Sequence, residues 1–338
     1  MTIVKKIIFT LALLLPFMTN AQDGSTAYNF LNVTQSAKIY GLGGVNITNV
    51  TEDVTATDQN PALMGPEMSG QVALSYMRYL GESNFAGIVY THSSGESAAW
   101  AAGIQYFGYG SMKETDASGM ILGDFSPQDI NFYGAYSRDL SSTVRGAFKV
   151  KAIYSAYGDY SALALATDLG VNYYSEDKDL SLSAVIANLG GQVKRFDESY
   201  DRLPVDVRLG WAQKFGNFPV RFSITAWNLT KWHLPYYDNG DGTANDAPEL
   251  KDSFSSNLFR HLIFGAELSN EKLYFTAAYN YKTRSDMSTY SRSFFSGWSL
   301  GAGVNSTKFR LGLAFSQPHT GATTFMVNLG LNLSDITK

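Results

Sequence analysis

One segment near the end of the chain constrains the fold more than any other. From Phe325 to Leu333, large apolar side chains alternate with small or polar ones. Successive side chains of a β-strand point to opposite faces, so this segment would have one apolar face and one small or polar face. The same alternation recurs along most of the chain. It is typical of a transmembrane β-barrel, whose strands are apolar towards lipid and polar towards the lumen.

From Gln71 onward the alternation predicts about fourteen strands, an even number as in bacterial single-chain barrels. The predicted strands are 71–79, 84–92, 98–107, 129–138, 143–154, 161–174, 179–188, 205–214, 218–228, 259–268, 272–281, 296–304, 307–315 and 323–333. Every second connection is short, which predicts periplasmic turns on one side and longer outer loops on the other. A soluble β-sandwich or a solenoid is the alternative. The single up-and-down run behind a secretion signal favours an all-β, antiparallel transmembrane barrel of about 14 strands.

The composition agrees with a barrel and excludes several other classes. Charged residues make up 17% of the 338 residues, below the roughly 25% of ordinary soluble domains, while aromatic residues reach 14%. Mean hydropathy is only −0.12, because the lumen face of a barrel is polar. The chain has no cysteine, which excludes disulfides and cysteine-based metal sites. A net charge of −4 gives no argument for nucleic-acid binding.

The N-terminus has the pattern of a cleaved secretory signal over residues 1–21. Lys5 and Lys6 precede an apolar run over 7–17, and Ala21 is the small residue expected before cleavage. Residues 22–70 do not alternate, and they are too few to bury a core of their own. We therefore predict a plug over 22–70 inside an outer membrane barrel formed by 71–338. Within that plug, Asn60-Pro61-Ala62 predicts a turn and a short helix, with Asn60 as its cap.

Arg310, Arg221, Lys149 and Glu267 alternate with the apolar side chains of their predicted strands, so they fall on the lumen face, where they avoid lipid. Six cations are predicted there: Arg145, Lys149, Lys151, Arg208, Arg221 and Arg310. They could line a basic channel, or they could pair with carboxylates of the barrel and the plug. The candidate partners are Asp206, Glu267, Glu52, Asp53 and Asp58. Pairing is favoured, because charges enclosed in a plugged barrel are costly when left alone.

Motifs of catalysis or cofactor binding are weak in this sequence. The loop 238–246 is rich in Asp, Asn and Gly and invites a calcium site, but its spacing departs from an EF-hand, so a polar outer loop is favoured. The four histidines, His92, His233, His261 and His319, are scattered without metal-ligand spacing. No serine lies in G-x-S-x-G, and Gly41-Leu-Gly-Gly44 is not a nucleotide-binding fingerprint. We therefore predict no catalytic residue, no cofactor and no metal.

The start of the predicted mature chain carries a family resemblance. Tyr28-Asn-Phe-Leu-Asn-Val33, Ser36-Ala37, Gly41-Leu-Gly-Gly-Val-Asn46 and Asn60-Pro-Ala-Leu63 follow one another in order. A plug with Asn60-Pro61-Ala62 before about fourteen strands resembles the FadL-like barrels. The order of the motifs over 28–64 is similar to the PorV/PorQ branch of the type IX secretion system, and most similar to its PorQ members.

The resemblance implies a non-enzymatic function. Barrels of this branch anchor a surface attachment complex that processes secreted proteins and joins them to lipopolysaccharide. It implies PorZ-, PorU- and PorV-like partners, held through outer loops such as 108–128, 189–204 and 229–258. The wider FadL-like group implies an alternative, which is transport of hydrophobic small molecules through the outer membrane. The predicted lumen positions are Gly, Ser, Thr, Asn and Arg, which do not supply an apolar path.

Overall fold

The computed structural model describes residues 26–198, 200–216, 218–238, 249–286, 295–319 and 322–333. The predicted signal peptide lies outside these residues. The strands are β1 (Gln71–Arg78), β2 (Asn84–Ser93), β3 (Ala98–Gly108), β4 (Met112–Thr115), β5 (Ile121–Phe125), β6 (Gln128–Asp139), β7 (Val144–Tyr157), β8 (Tyr160–Ser175), β9 (Leu180–Lys194), β10 (Asp206–Lys214), β11 (Val220–Ala226), β12 (Tyr236–Asp238), β13 (Glu249–Lys251), β14 (Leu262–Ser269), β15 (Leu273–Asn280), β16 (Trp298–Asn305), β17 (Phe309–His319) and β18 (Ala322–Asn332).

Fourteen of these strands close into one antiparallel barrel, which confirms the predicted fold class. Each barrel strand pairs with its neighbours in the sequence, apart from the two small hairpins β4–β5 and β12–β13, which lie outside the wall. The alternating segment 325–333 belongs to β18, and β18 pairs with β1 from Gln71↔Asn332 to Arg78↔Phe325. The first and last strands therefore meet, which removes both sheet edges, as a wall in lipid requires.

The alternation along β18 shows which side chains point out of the barrel and which point into it. Phe325 is 58% exposed and Val327 is also exposed, whereas Met326 and Asn328 are buried. The same contrast recurs around the barrel, so large apolar side chains cover the outside. An apolar surface of this extent is a surface for lipid.

The connections differ in length at the two ends of the barrel. At one end every turn is short: 94–97, 140–143, 176–179, 215–219, 270–272 and 306–308. The opposite end carries the long connections 109–127, 195–205, 227–261 and 281–297. We assign the short-turn end to the periplasm and the other to the cell exterior. β4–β5 and β12–β13 project from this outer end.

Within the described residues, three α-helices accompany the strands: α1 (Ala37–Gly41), α2 (Phe254–Arg260) and α3 (Tyr281–Asp286). The last two lie in outer connections and were not predicted. Ser253 caps α2, since its Oγ accepts from the N–H of Ser256 at 3.2 Å. β14 therefore begins at Leu262, three residues later than the predicted start at residue 259. Among the described residues, no helix has the length and apolar character that a membrane span requires.

Residues 26–70 lie inside the barrel, as α1 and the short 3₁₀ helices Ala27–Asn32, Val54–Asp58, Pro61–Leu63 and Pro66–Met68. Their apolar side chains form several clusters with the wall, of which two are large. Towards the outer end, Phe30 packs with Phe107 in one cluster. Towards the periplasm, Met64 and Met68 pack with Val89 in the other. Smaller apolar clusters join Val45 to Ile263 and Ile47 to Val185.

We expect Leu313→Arg to lower the free energy of unfolding by about 2–4 kcal/mol, because a charge on the lipid face near the bilayer centre is poorly solvated. Leu313 lies on β17 and is 50% exposed on the outer face. The control is Leu140→Arg in the turn 140–143, where the cost falls to about 0–1 kcal/mol. Urea unfolding in detergent or lipid vesicles measures both. Equal costs at the two positions would contradict this assignment of the lipid face.

Candidate functional site

The centre of the lumen holds a cluster of buried charges around Asp58. The Asp58 carboxylate accepts from the backbone N–H of Gln35 at 3.1 Å and from Nε2 of Gln105 on β3 at 2.9 Å. Nζ of Lys149 on β7 lies 3.3 Å from the same carboxylate, and it also donates to the backbone carbonyl of Asp58 at 2.5 Å. Both charged side chains are at most 4% exposed. The N-terminal segment is thus held to the wall by a buried ion pair.

Two further residues of the wall balance this cluster. Asp168 on β8 lies 3.6 Å from Nζ of Lys149 and 2.7 Å from Nζ of Lys151. The other oxygen of Asp168 accepts from the backbone N–H of Asn188 at 2.7 Å. Asn188 has a φ of 58° and lies where the β8–β9 register shifts, so a β-bulge aims this N–H at the carboxylate. Two carboxylates and two ammonium groups therefore form a cluster of zero net charge.

Two more buried pairs join the N-terminal segment to other parts of the wall. Arg208 donates to Asp206 at 2.7 Å and to Asn32 of the N-terminal segment at 3.0 Å. Two strands further along the wall, Nζ of Lys38 in α1 lies 2.8 Å from a Glu267 oxygen on β14. Burial without partners would be costly for each of these groups. The segment is therefore fixed by charge on several sides of the lumen at once.

The structure places all six predicted lumen cations beside carboxylates. The pairs with predicted partners are Lys149–Asp58, Arg208–Asp206 and Arg310–Glu52. The other three cations have partners that the sequence did not indicate: Lys151–Asp168, Arg145 with Asp139 and Glu67, and Arg221–Asp179. Pairing rather than a basic channel is therefore what the lumen contains.

Two predicted carboxylate partners have other roles. Glu267 pairs with Lys38, which lies in α1 rather than in the wall. Asp53 caps the helix Val54–Asp58, because its Oδ1 accepts from the N–H of Thr55 at 2.9 Å. Neither role is visible in the alternation of the strands. The capping position of Asp53, two residues before a possible donor, is the one local signal that could have shown it.

Asn60, Pro61 and Ala62 lie buried against β8. The side-chain oxygen of Asn60 accepts from the N–H of Ala62 at 3.0 Å, and its amide donates to the carbonyl of Ile47 at 2.8 Å. Pro61 opens the helix, where its missing N–H costs no hydrogen bond. A Cβ added to Gly170 of β8 would lie 2.4 Å from the Asn60 oxygen. The motif thus links two parts of the N-terminal segment and fits a space that a glycine leaves in the wall.

The connection 227–261 at the outer end of the barrel exposes several apolar side chains. The exposed members, which we call the outer-loop patch, are Trp232, Tyr237, Leu250 and Phe254. Tyr237 pairs with Leu250 across β12–β13, and the Trp232 and Phe254 rings lie 5.5 Å apart. Below it, the hydroxyl oxygens of Tyr236 and Tyr281 are 3.1 Å apart. The pKa of Tyr236 is raised above its ordinary range. Burial is the largest cause, and the hydrogen bond with Tyr281 is the second.

A cavity of about 190 Å³ lies between the N-terminal segment and the outer end of the wall. Tyr40, Tyr79 and Trp227 contribute aromatic surface, and Asn280 and Ser299 contribute polar groups. We call it the outer vestibule. The N-terminal segment forms one side of it, through Asn32, Tyr40 and Gly43.

The candidate metal residues are not brought together. His261 is buried, and its Nδ1 and Nε2 lie 2.8 Å and 3.0 Å from the backbone carbonyls of Trp227 and Trp232, which gives it a structural role. The possible calcium loop 238–246 lies outside the described residues except for Asp238, and so does the His319 side chain. Within the described ranges, no three His, Asp or Glu side chains cluster as a metal site would require.

Comparisons with known proteins identify the fold. No family model matches the chain, and no curated protein matches its sequence. Among solved structures, the chain resembles a "TodX deltaS2S3 mutant monoaromatic hydrocarbon channel", with a TM-score of 0.54 and 11% identity, over 88% of this chain and 97% of that one. It also resembles a Pseudomonas aeruginosa FadL homologue, with a TM-score of 0.50 and 11% identity, over 88% and 98% of the two chains. At this identity the shared property is the FadL-like barrel fold.

Proposed function

We propose that this chain is a non-enzymatic barrel subunit of the type IX secretion system in the outer membrane. In this proposal it anchors a surface attachment complex that processes secreted proteins and links them to lipopolysaccharide. PorZ-, PorU- and PorV-like proteins are held through the outer loops. The order of sequence motifs over residues 28–64 supplies the link to this system.

The observation that carries the proposal is the filled lumen. The buried ion pair between Asp58 and Lys149 lies at its centre, and the pair Lys38–Glu267 lies at its side. In addition, β3 pairs in unbroken register with β2 and β6 over its whole length. A closed wall around a charged, hydrogen-bonded interior supports a rigid anchor better than a channel. Such a scaffold leaves binding to its loops.

Transport of hydrophobic small molecules is the second candidate. The outer vestibule favours it, since a cavity with aromatic walls and a few polar groups is the usual form of a small-molecule site. The barrel fold shared with a hydrocarbon channel is compatible with it. The buried charge pairs of the lumen argue against passage, because they leave an apolar solute no apolar path beside the wall.

Affinity purification of the tagged chain from detergent-solubilised membranes separates the two functions. The anchor predicts co-purification of large secretion-system subunits in fixed proportion. Recovery of the barrel alone, with a hydrophobic small molecule bound, would contradict the anchor and support transport. The band shift on boiling in SDS gels provides the folding control, since a folded barrel resists SDS until it is heated.

Within this proposal, we expect the double variant Tyr237→Ala/Phe254→Ala to reduce the recovery of partner subunits by at least about tenfold, since truncating an aromatic anchor costs about 2 kcal/mol or more. Both side chains are exposed in the outer-loop patch, with Phe254 at 70%. The matched control is Leu140→Ala/Phe215→Ala, which removes exposed apolar side chains from the short turns 140–143 and 215–219 at the other end of the barrel. Quantitative mass spectrometry of the purified complexes measures the ratio. Equal recovery from both variants would contradict the patch as the docking surface.

A further inference from the structure

The lipid face of the wall carries a groove over β2, β3, β6, β7 and β8. Its volume is about 570 Å³, which lies in the range of about 300–1,000 Å³ for ligand pockets. Small residues form its centre, since Ala102 of β3 lies directly opposite Gly134 of β6. Larger apolar side chains flank them: Ile88, Ile104, Phe132, Val150 and Leu165.

The centre of the groove is uncovered by protein. A Cβ added to Gly134 would meet one atom within 4 Å, the carbonyl oxygen of Ala101 at 3.9 Å. The space above Gly134 is therefore open towards the membrane, and a larger side chain fits there without a clash. In a bilayer this space is filled by hydrocarbon, because water has no polar partners on this surface.

Polar groups lie at the periplasmic end of the same face. The ring of Trp100 lies 5.7 Å from that of Tyr90 and 5.9 Å from that of His92. Aromatic rings of this kind collect at the level of lipid headgroups. Arg138 lies four residues beyond Gly134 on the same face of β6, a distance of about 13 Å along the strand.

The Arg138 side chain is exposed. It takes part in no hydrogen bond or ion pair within the described part of the chain. It is next to the turn 140–143 and thus at the inner surface of the membrane. A cation at that level, beside an apolar groove, is complementary to a phosphate that is attached to alkyl chains.

We propose that the groove and Arg138 form a binding site for one glycerophospholipid of the periplasmic leaflet. One acyl chain lies in the groove over Gly134, and the phosphate binds Arg138. A second copy of this chain is a poorer occupant, since a convex barrel wall would leave the groove empty. A flexible alkyl chain can follow its floor. This inference is independent of the partners in the proposed function.

Native mass spectrometry of the full-length barrel tests the site. The purified protein is stripped of lipid in detergent and then titrated with phosphatidylethanolamine. We expect one tightly held lipid on the unmodified protein. We expect Gly134→Leu to weaken its binding at least about tenfold, since a side chain that fills the groove displaces several buried methylene groups.

A second variant tests the phosphate-binding part of the site, and two control variants test whether the effects are specific to it. Arg138→Gln should weaken phosphatidylethanolamine severalfold and leave diacylglycerol, which has no phosphate, unchanged. The controls are Ala302→Leu, on the lipid face of β16, and Arg78→Gln, on the lipid face at the outer end of β1. Both should bind lipid like the unmodified protein, and all variants should keep the heat-dependent band shift.

Three outcomes would overturn the proposal. One is equal lipid binding by the unmodified protein and Gly134→Leu. The second is an equal loss of binding in Ala302→Leu, which would show that any bulk on the lipid face has this effect. The third is a dimer that Gly134→Leu dissociates, which would make the groove an interface between two copies of the chain.

Discussion

We expect Lys149→Met to lower the free energy of unfolding by about 3–5 kcal/mol, because removing one partner of a buried ion pair leaves the other charge uncompensated. Lys149 lies 3.3 Å from Asp58 and 3.6 Å from Asp168, and its side chain is 3% exposed. Methionine has similar volume and no charge, so the loss reports on charge rather than packing. Lys151 still neutralises Asp168 in this variant. The buried Asp58 carboxylate is therefore the group that is left without a cation.

Asp58→Asn combined with Lys149→Met tests that explanation. The double variant removes both charges and should recover part of the stability lost in Lys149→Met. The control is Lys194→Met at the outer end of β9, where an exposed lysine contributes within about 0.5 kcal/mol. Urea unfolding of the barrel in detergent measures all four variants, including Asp58→Asn alone. A double variant as unstable as the sum of its two single variants would contradict a direct coupling of Asp58 and Lys149.

We expect Gly41→Val to open the lumen to ions. A Cβ on Gly41 would lie 2.8 Å from both Cα and the backbone nitrogen of Gly301, so α1 rests directly on the backbone of β16. The wall is held by pairing on both sides, so α1 must move, and overpacking of this kind costs about 1–3 kcal/mol. The movement separates Lys38 from Glu267, now 2.8 Å apart.

Planar-bilayer recordings measure the consequence. The unmodified barrel should show no steady conductance, because residues 26–70 fill its lumen. Gly41→Val should show open events at least about tenfold more often, which corresponds to a loss of about 1.4 kcal/mol for the docked segment. Gly123→Val in the β4–β5 hairpin is the control, since a Cβ there meets one atom at 3.9 Å. Silent recordings from Gly41→Val would mean that α1 does not seal the barrel.

These results bear on the choice between anchor and channel. The buried ion pairs hold the N-terminal segment in place, since Lys149, Glu267 and Arg310 of the wall have their partners on that segment. A channel for apolar solutes would need to undo this arrangement in every passage. A scaffold benefits from it, because a rigid interior fixes the loops that hold partners.

Local sequence could show some of the candidate site and not the rest. The cap at Asn60 follows from its place before Pro61, and the inward direction of Lys149 follows from the alternation of β7. The bulge at Asn188 breaks the alternation of β9, and no local pattern predicts it. The helices α2 and α3 occur in loops without apolar periodicity. Their positions depend on the strands between which they lie.

The sequence by itself determined the barrel, its strands and the two faces of its wall. It could do so because side chains of a strand alternate with a period of two, and because lipid penalises every charge on one of those faces. Only the tertiary structure decided which charges meet. Lys149 and Asp58 are 91 residues apart, and Lys38 and Glu267 lie still further apart in the chain. Their contacts depend on the stagger of fourteen strands and on the path of residues 26–70 through the lumen. No local sequence pattern determines either of these.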